Sequence, residues 1–213
     1  MTINPAQTPD DITVFSENCV FVRSLYLHGK GLFERSTDNE RRRMENAAPV
    51  FFGDLNRIII KHVILEVCKM TDPAHDFRKN DNLTIAFLVE HYGLSEDMRL
   101  AALVAGLDAF RQKVVAARNK IISHSDRLAI HAGTALGSVS DGDWNQFWLD
   151  LQDAVSIIHK HAHGSEFYIN AVGGLSDVDG LHKALKHAEC LRQIMDEGDS
   201  ALVHRCADLA MSD

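Results

Sequence analysis

Arg118, Asn119 and His124 are the residues of this chain best suited to chemistry: an arginine, a polar residue directly after it, and a histidine six positions on. An imidazole can take the proton of a ribose 2′-hydroxyl or return one to a leaving oxygen, and a guanidinium can offset the charge that develops on a phosphorane. That pair suits cleavage of RNA without a metal ion, and DNA, lacking the hydroxyl, should be a poor substrate. Asn119 is placed to orient the histidine or the phosphate by hydrogen bonding. Arg111, Lys113, Lys120 and Arg127 make the stretch locally basic and are candidate phosphate guides.

On a helix, each three-residue step turns back by about 60°, so Arg118 and His124 fall on the two edges of one sector with Ile121 between them, separated by about 9 Å of rise. One copy spans too far to grip a single phosphate. Two copies facing each other across a two-fold axis would bring two arginines and two histidines to one site. An alternative stays open on these residues alone: His124 continues the apolar seam through Ala117 and Ile121, which fits a core histidine or a cation at a helix C-terminus. Similar spacings occur at Arg23 to His28 and Arg57 to His62, but there the arginine is followed by Ser24-Leu25-Tyr26-Leu27 and by Ile58-Ile59-Ile60, without a cluster of cations.

Other constellations point to metals. His159, His161 and His163 alternate along a helix and so point about 200° apart. A solvated histidine-rich helix end, closed by Gly164, is the expectation. His187 with Cys190, and His204 with Cys206, invite a zinc clamp, against which stands ordinary packing of small thiols. Asp72, Asp76 and Asp81 lie in a polar loop and are read as solvated acids at helix ends. There is no Gly-rich phosphate loop, no G-x-S-x-G and no H-E-x-x-H. No cofactor or metal is expected.

The elements that must position these groups read as helices throughout. Thr8-Pro9-Asp10-Asp11 carries start signals for a helix over about 9–28, with Gly29 and Gly31 as left-handed stops. Thr37 and Glu40 form a capping box. From Val50 to Met70 apolar residues, among them Phe51, Phe52, Ile58, Ile59 and Val63, cover most of the circumference, predicting a buried central helix. A short helix follows over about 82–91. Ser95 is the expected cap of a long helix whose Leu100, Leu103, Leu107, Phe110, Val114, Ala117 and Ile121 alternate in three- and four-residue steps, the seam of packed antiparallel helices. A Gly/Ser/Thr-rich connector, 132–142, leads to a helix over about 143–161, and two more are expected over 176–197 and 200–211. The expected architecture is an all-α antiparallel bundle over 10–165, with C-terminal helices over 166–213 packing on the same domain.

With 213 residues the chain can bury a full core without staples. Its net charge of −8 argues against broad binding to nucleic acid or anionic membranes, leaving a local basic patch as the RNA-binding possibility. Cys19, Cys68, Cys190 and Cys206 are widely spaced, which suits reduced thiols rather than a disulfide framework. No secretion signal or membrane-length apolar run is present, so a cytoplasmic protein with no membrane partner is expected.

The stretch Arg118-Asn119-Lys120-Ile121-Ile122-Ser123-His124-Ser125-Asp126 resembles the R-x(4-6)-H motif of the HEPN superfamily, in the form with a polar residue after the arginine. Upstream, Phe51-Phe52 opening an apolar helix that closes in Met70-Thr71-Asp72-Pro73, followed by Asp81-Asn82-Leu83, is similar to the AbiU-type abortive-infection branch. The resemblance covers roughly residues 10–165. It implies a helical bundle that forms a homodimer and, in active members, a metal-independent endoribonuclease of phage-defence or toxin–antitoxin systems, partnered by RNA and by an antitoxin or another defence protein. Arg118 and His124 map onto the motif's arginine and histidine, and Asn119 onto its polar position. Some members carry a tyrosine two residues after the histidine that an antitoxin modifies with nucleotides. Here that position is Asp126, which argues against regulation by that route. Other members are non-catalytic modules that bind RNA, a nucleotide or a partner protein, and this is the alternative function.

Overall fold

The computed structural model describes residues 10–123, 139–169, 174–196 and 204. Among them are seven α-helices and no strands: α1 (Asp11–Gly29), α2 (Asp38–Ala47), α3 (Pro49–Thr71), α4 (Ile85–His91), α5 (Met98–Ser123), α6 (Asp141–His163) and α7 (Gly174–Asp196). The architecture is an all-α helical bundle, as the periodicities predict. No described helix is long and apolar enough to cross a membrane. The helix expected over 200–211 lies outside the described residues except for His204, which is helical.

Short-range chemistry sets the helix starts. Asp10 Oδ1 accepts the Thr13 N–H at 3.0 Å ahead of α1, while Thr8 and Pro9 lie outside the described residues. Thr37 and Glu40 make the expected capping box at α2. Ser140 and Asp143 make another at α6, which therefore begins two residues earlier than predicted and ends at Gly164 in the left-handed conformation. Both boxes satisfy backbone N–H groups that a first helical turn leaves unpaired.

Three local expectations are corrected. Gly29 is not a left-handed stop: its φ of −59° and ψ of −47° are helical, and the chain continues into a π-helical turn over Lys30–Glu34. Gly31 is instead closely approached, because a Cβ there would lie 3.0 Å from Val178 Cγ1. The cap of α5 is Asp97, whose Oδ1 accepts from the N–H groups of Arg99 and Leu100. Ser95 falls inside the preceding turn, which Gly93 enters with a positive φ and the Asp97 N–H closes on the Leu94 carbonyl. Helix α4 starts at Ile85 behind a Thr84 cap, since Asn82 is tied to the loop through Pro73 and Ala74 carbonyls.

The chain divides into two compact units, one of residues 1–26 and 59–172, the other of 27–58 and 173–213. In the first, α5 and α6 run antiparallel, since Arg99 pairs with Asp153 and Lys113 with Asp143. Phe110 stacks on Phe147 with centroids 4.5 Å apart, and Trp144 meets Phe110 edge-on. Leu100, Leu107, Val114, Trp148, Leu151, Val155 and Ile158 are buried, joined by Ile12, Phe15, Cys19 and Val22 of α1 and Val63, Ile64, Val67 and Cys68 of α3.

The second unit is built on Leu32, Met44, Phe52 and Val178. Ser36 Oγ donates to the Leu32 carbonyl and lies 3.0 Å from His182 Nε2, and Arg43 pairs with Glu189 at 2.6 Å. The expectation of a buried central helix over 50–70 is corrected at Phe51 and Ile58, which are 61% and 62% exposed. Neighbouring elements cover one side of this helix, and residues pointing the other way stay in solvent whatever their polarity.

Candidate active site

Helix α5 carries the candidate residues, and the end of α3 meets it there. Arg118 Nη2 lies 3.5 Å from Asp72 Oδ2, and Arg111 Nη1 lies 3.6 Å from Asp72 Oδ1. Seven residues on a helix come within about 20° of the same azimuth, so both arginines project from one face of α5. Arg111 also donates to Asp108 Oδ1 through Nε at 3.0 Å and Nη2 at 2.7 Å. The side chains are partly covered: 15% exposed for Arg111, 23% for Asp72 and 29% for Arg118.

Asp72 follows immediately on α3, and its own N–H donates to the Lys69 carbonyl. Thr71, buried, donates its hydroxyl to the Val67 carbonyl, which fixes the end of the helix and hence the carboxylate. One turn back, Cys68 is buried beneath the cluster. Burial pushes its thiol above the usual range and the Asp72 carboxylate adds to that, while Arg118 and Arg111 pull the other way. Burial thus favours the neutral thiol at Cys68.

The remaining candidates are distributed as follows. Lys113 donates to Asp143 Oδ1 at 2.5 Å. That bond, with those from Ser140, holds the Asp143 carboxyl at about 2. Asn119 is helical and exposed. Lys120 is helical, its side chain lying outside the described residues, as do His124 and Arg127 entirely. The basic stretch read along the chain is thus offset in space: Arg111 and Arg118 face Asp72 and Asp108, and Lys113 faces Asp143.

The competing constellations resolve separately. Asp76 accepts from the N–H groups of Arg78 and Asn80 and from Asn80 Nδ2, while Asp81 pairs with His75. The three acids of that loop therefore serve separate sets of partners. His163 pairs with Asp10, and His159 with the Ser165 carbonyl. Cys190 and His187 are exposed, and Cys206 lies outside the described residues. Among the described residues no three His, Cys, Asp or Glu side chains gather as a metal site would require. Of the two other arginines of similar spacing, Arg23 lies over the Trp148 ring at 4.8 Å. Arg57 faces Asp54 at 3.9 Å.

Sequence reasoning missed Asp72 as the partner of the arginines. Its one local signal was position: an acid directly beyond a helix C-terminus, where the helix dipole disfavours negative charge, asks for a cation from elsewhere. Two arginines converging on one carboxylate form an anion-recognition geometry, in which each guanidinium faces one oxygen.

No curated protein and no solved structure matches the chain. The family model of AbiU2, a HEPN-type domain, matches residues 17–178, a span that includes α3, the Asp72 loop and all of α5. With a helical bundle in place and its arginine-bearing helix inside the matched span, the chain belongs to the AbiU2 family of HEPN domains.

Proposed function

We propose that this protein is a metal-independent endoribonuclease of a phage-defence or toxin–antitoxin system, acting in the cytoplasm as a homodimer whose two copies share one Arg118/His124 site. The observation that carries the reading is Arg118 itself. It stands part-exposed on α5 beside Asp72 at a distance too long for a charge-assisted hydrogen bond, so its planar donors remain suited to a phosphate. Membership of the AbiU2 family supports it.

In this mechanism His124 takes the proton of a ribose 2′-hydroxyl. The 2′-oxygen forms its bond to the adjacent phosphorus, and the 5′-oxygen leaves with a proton from the second copy's histidine. The products are a 2′,3′-cyclic phosphate and a 5′-hydroxyl. Arg118 offsets the charge of the phosphorane, Asn119 orients the reacting groups, and Lys113, Lys120, Arg111 and Arg127 guide the strand. An antitoxin or other defence protein is the expected partner.

The test is incubation of the full chain with a mixed RNA pool in EDTA, beside Arg118→Ala and His124→Ala. Cleavage to cyclic-phosphate ends by the wild type alone is the expected result. Equal cleavage by all three, or none by any, overturns the nuclease reading. A second reading, a non-catalytic module that binds RNA, a nucleotide or a partner protein, is favoured by the cancellation of Arg111 and Arg118 by Asp72 and Asp108. It predicts binding that depends on Arg118 without cleavage.

A further inference from the structure

Arg111 and Arg118 leave α5 about 10 Å apart along its axis, yet their guanidinium groups come to opposite oxygens of one carboxylate. A phosphodiester offers the same pattern, two non-bridging oxygens sharing one negative charge. The contacts of 3.5 and 3.6 Å hold the arginines by charge rather than by hydrogen bonds, which would lie near 2.7–2.9 Å. Asp108 binds the outer side of Arg111 by true hydrogen bonds and so leaves its Nη1 turned toward Asp72. Two cations and two anions cancel, and a site neutral at rest has little pull on nucleic acid in general.

We infer that Asp72, backed by Asp108, is the resident counter-ion of a two-arginine phosphodiester site: it keeps Arg111 and Arg118 together in the absence of RNA and yields them to an RNA phosphate. This rests on the reading above for the identity of the ligand. Asp72 touches no reacting atom and is a positioning residue that also sets the affinity of the site. Displacing it costs binding, and holding Arg118 in place favours turnover. Removing its charge therefore moves KM and kcat in the same direction, both downward, which a merely structural defect does not do.

The probe is a short single-stranded 2′-O-methyl RNA, which binds but lacks the attacking hydroxyl, followed by fluorescence anisotropy across a series of KCl concentrations. Asp72→Asn is expected to bind it about two- to fivefold more tightly than the wild type, with a salt dependence steeper by about 0.7 for each arginine freed. On cleavable RNA the same variant shows a lower KM and a lower kcat, and Asp72→Glu returns both toward wild type. Circular dichroism establishes that each variant is folded. Should Asp72→Asn fail to fold, Asp108→Asn decides, because Asp108 is an exposed residue acting on the same Arg111. It tightens binding in the same sense, by less. Affinity and salt slope equal to wild type in the folded variants overturn the inference. Tightened binding without cleavage by any of these proteins upholds the counter-ion and removes the nuclease reading alone.

Discussion

The Arg118 guanidinium stands 3.5 Å from Oδ2 of Asp72, so the end of α3 supplies the counter-charge for the residue that α5 presents. The pairing leaves Arg118 a planar cation at a half-buried position, where shape matters as much as charge.

Arg118→Lys keeps the charge and loses the fork of donors. Under the proposed nuclease activity, cleavage of RNA should fall about 100-fold in kcat, the scale of losing one preorganised donor to a developing oxyanion. Single-turnover rates measure it, and a rate within a factor of about two of wild type would show that charge alone suffices.

The Lys113–Asp143 bond makes a pH prediction. The carboxyl of Asp143 is lowered to about 2, first by the hydrogen bond from Lys113 and then by those from Ser140. A depressed folded-state value means that the ionised carboxylate's contribution to folding is complete above the ordinary 3.8 and is lost as pH falls through about 2. Carbon NMR of the Asp143 carboxyl should show that midpoint in the wild type and a higher one in Lys113→Ala.

Close packing at Gly31 makes a third. Gly31→Ala places a Cβ 3.0 and 3.1 Å from the two Val178 methyl carbons, a crowding that should cost about 1–3 kcal/mol in urea unfolding. Adding Val178→Ala clears the space. If the double variant is no more stable than Gly31→Ala, the contact is not the cause.

Between α5 and α6, Phe147 is buried to 1% exposure and stacks on Phe110. Phe147→Ala should destabilise by about 3–5 kcal/mol through lost burial and the cavity it leaves. Calorimetry giving a loss below about 1 kcal/mol would mean that the two helices reclose over the gap.

Residue order alone was enough to place the described helices to within a few residues, because their signals act over three or four positions. The Thr37/Glu40 box and the Gly164 stop form where their spacing predicts, and of the predicted seam Leu100, Leu107, Phe110 and Val114 are buried and Leu103 is half-buried. The HEPN resemblance was likewise legible, in Arg118-Asn119 and in the closing residues of α3. Asp97 rather than Ser95 caps α5 through its own first turn, a local choice, whereas at Gly31 tertiary packing decides, through close approach to Val178 instead of a left-handed turn. The same holds for the faces of α3, whose apolar circumference could not say that Phe51 and Ile58 remain in solvent. Asp72 read as a loop acid along the chain and is the partner of two arginines in space. Capping and periodicity are settled within a turn of helix, whereas a counter-ion depends on where the end of α3 arrives beside α5.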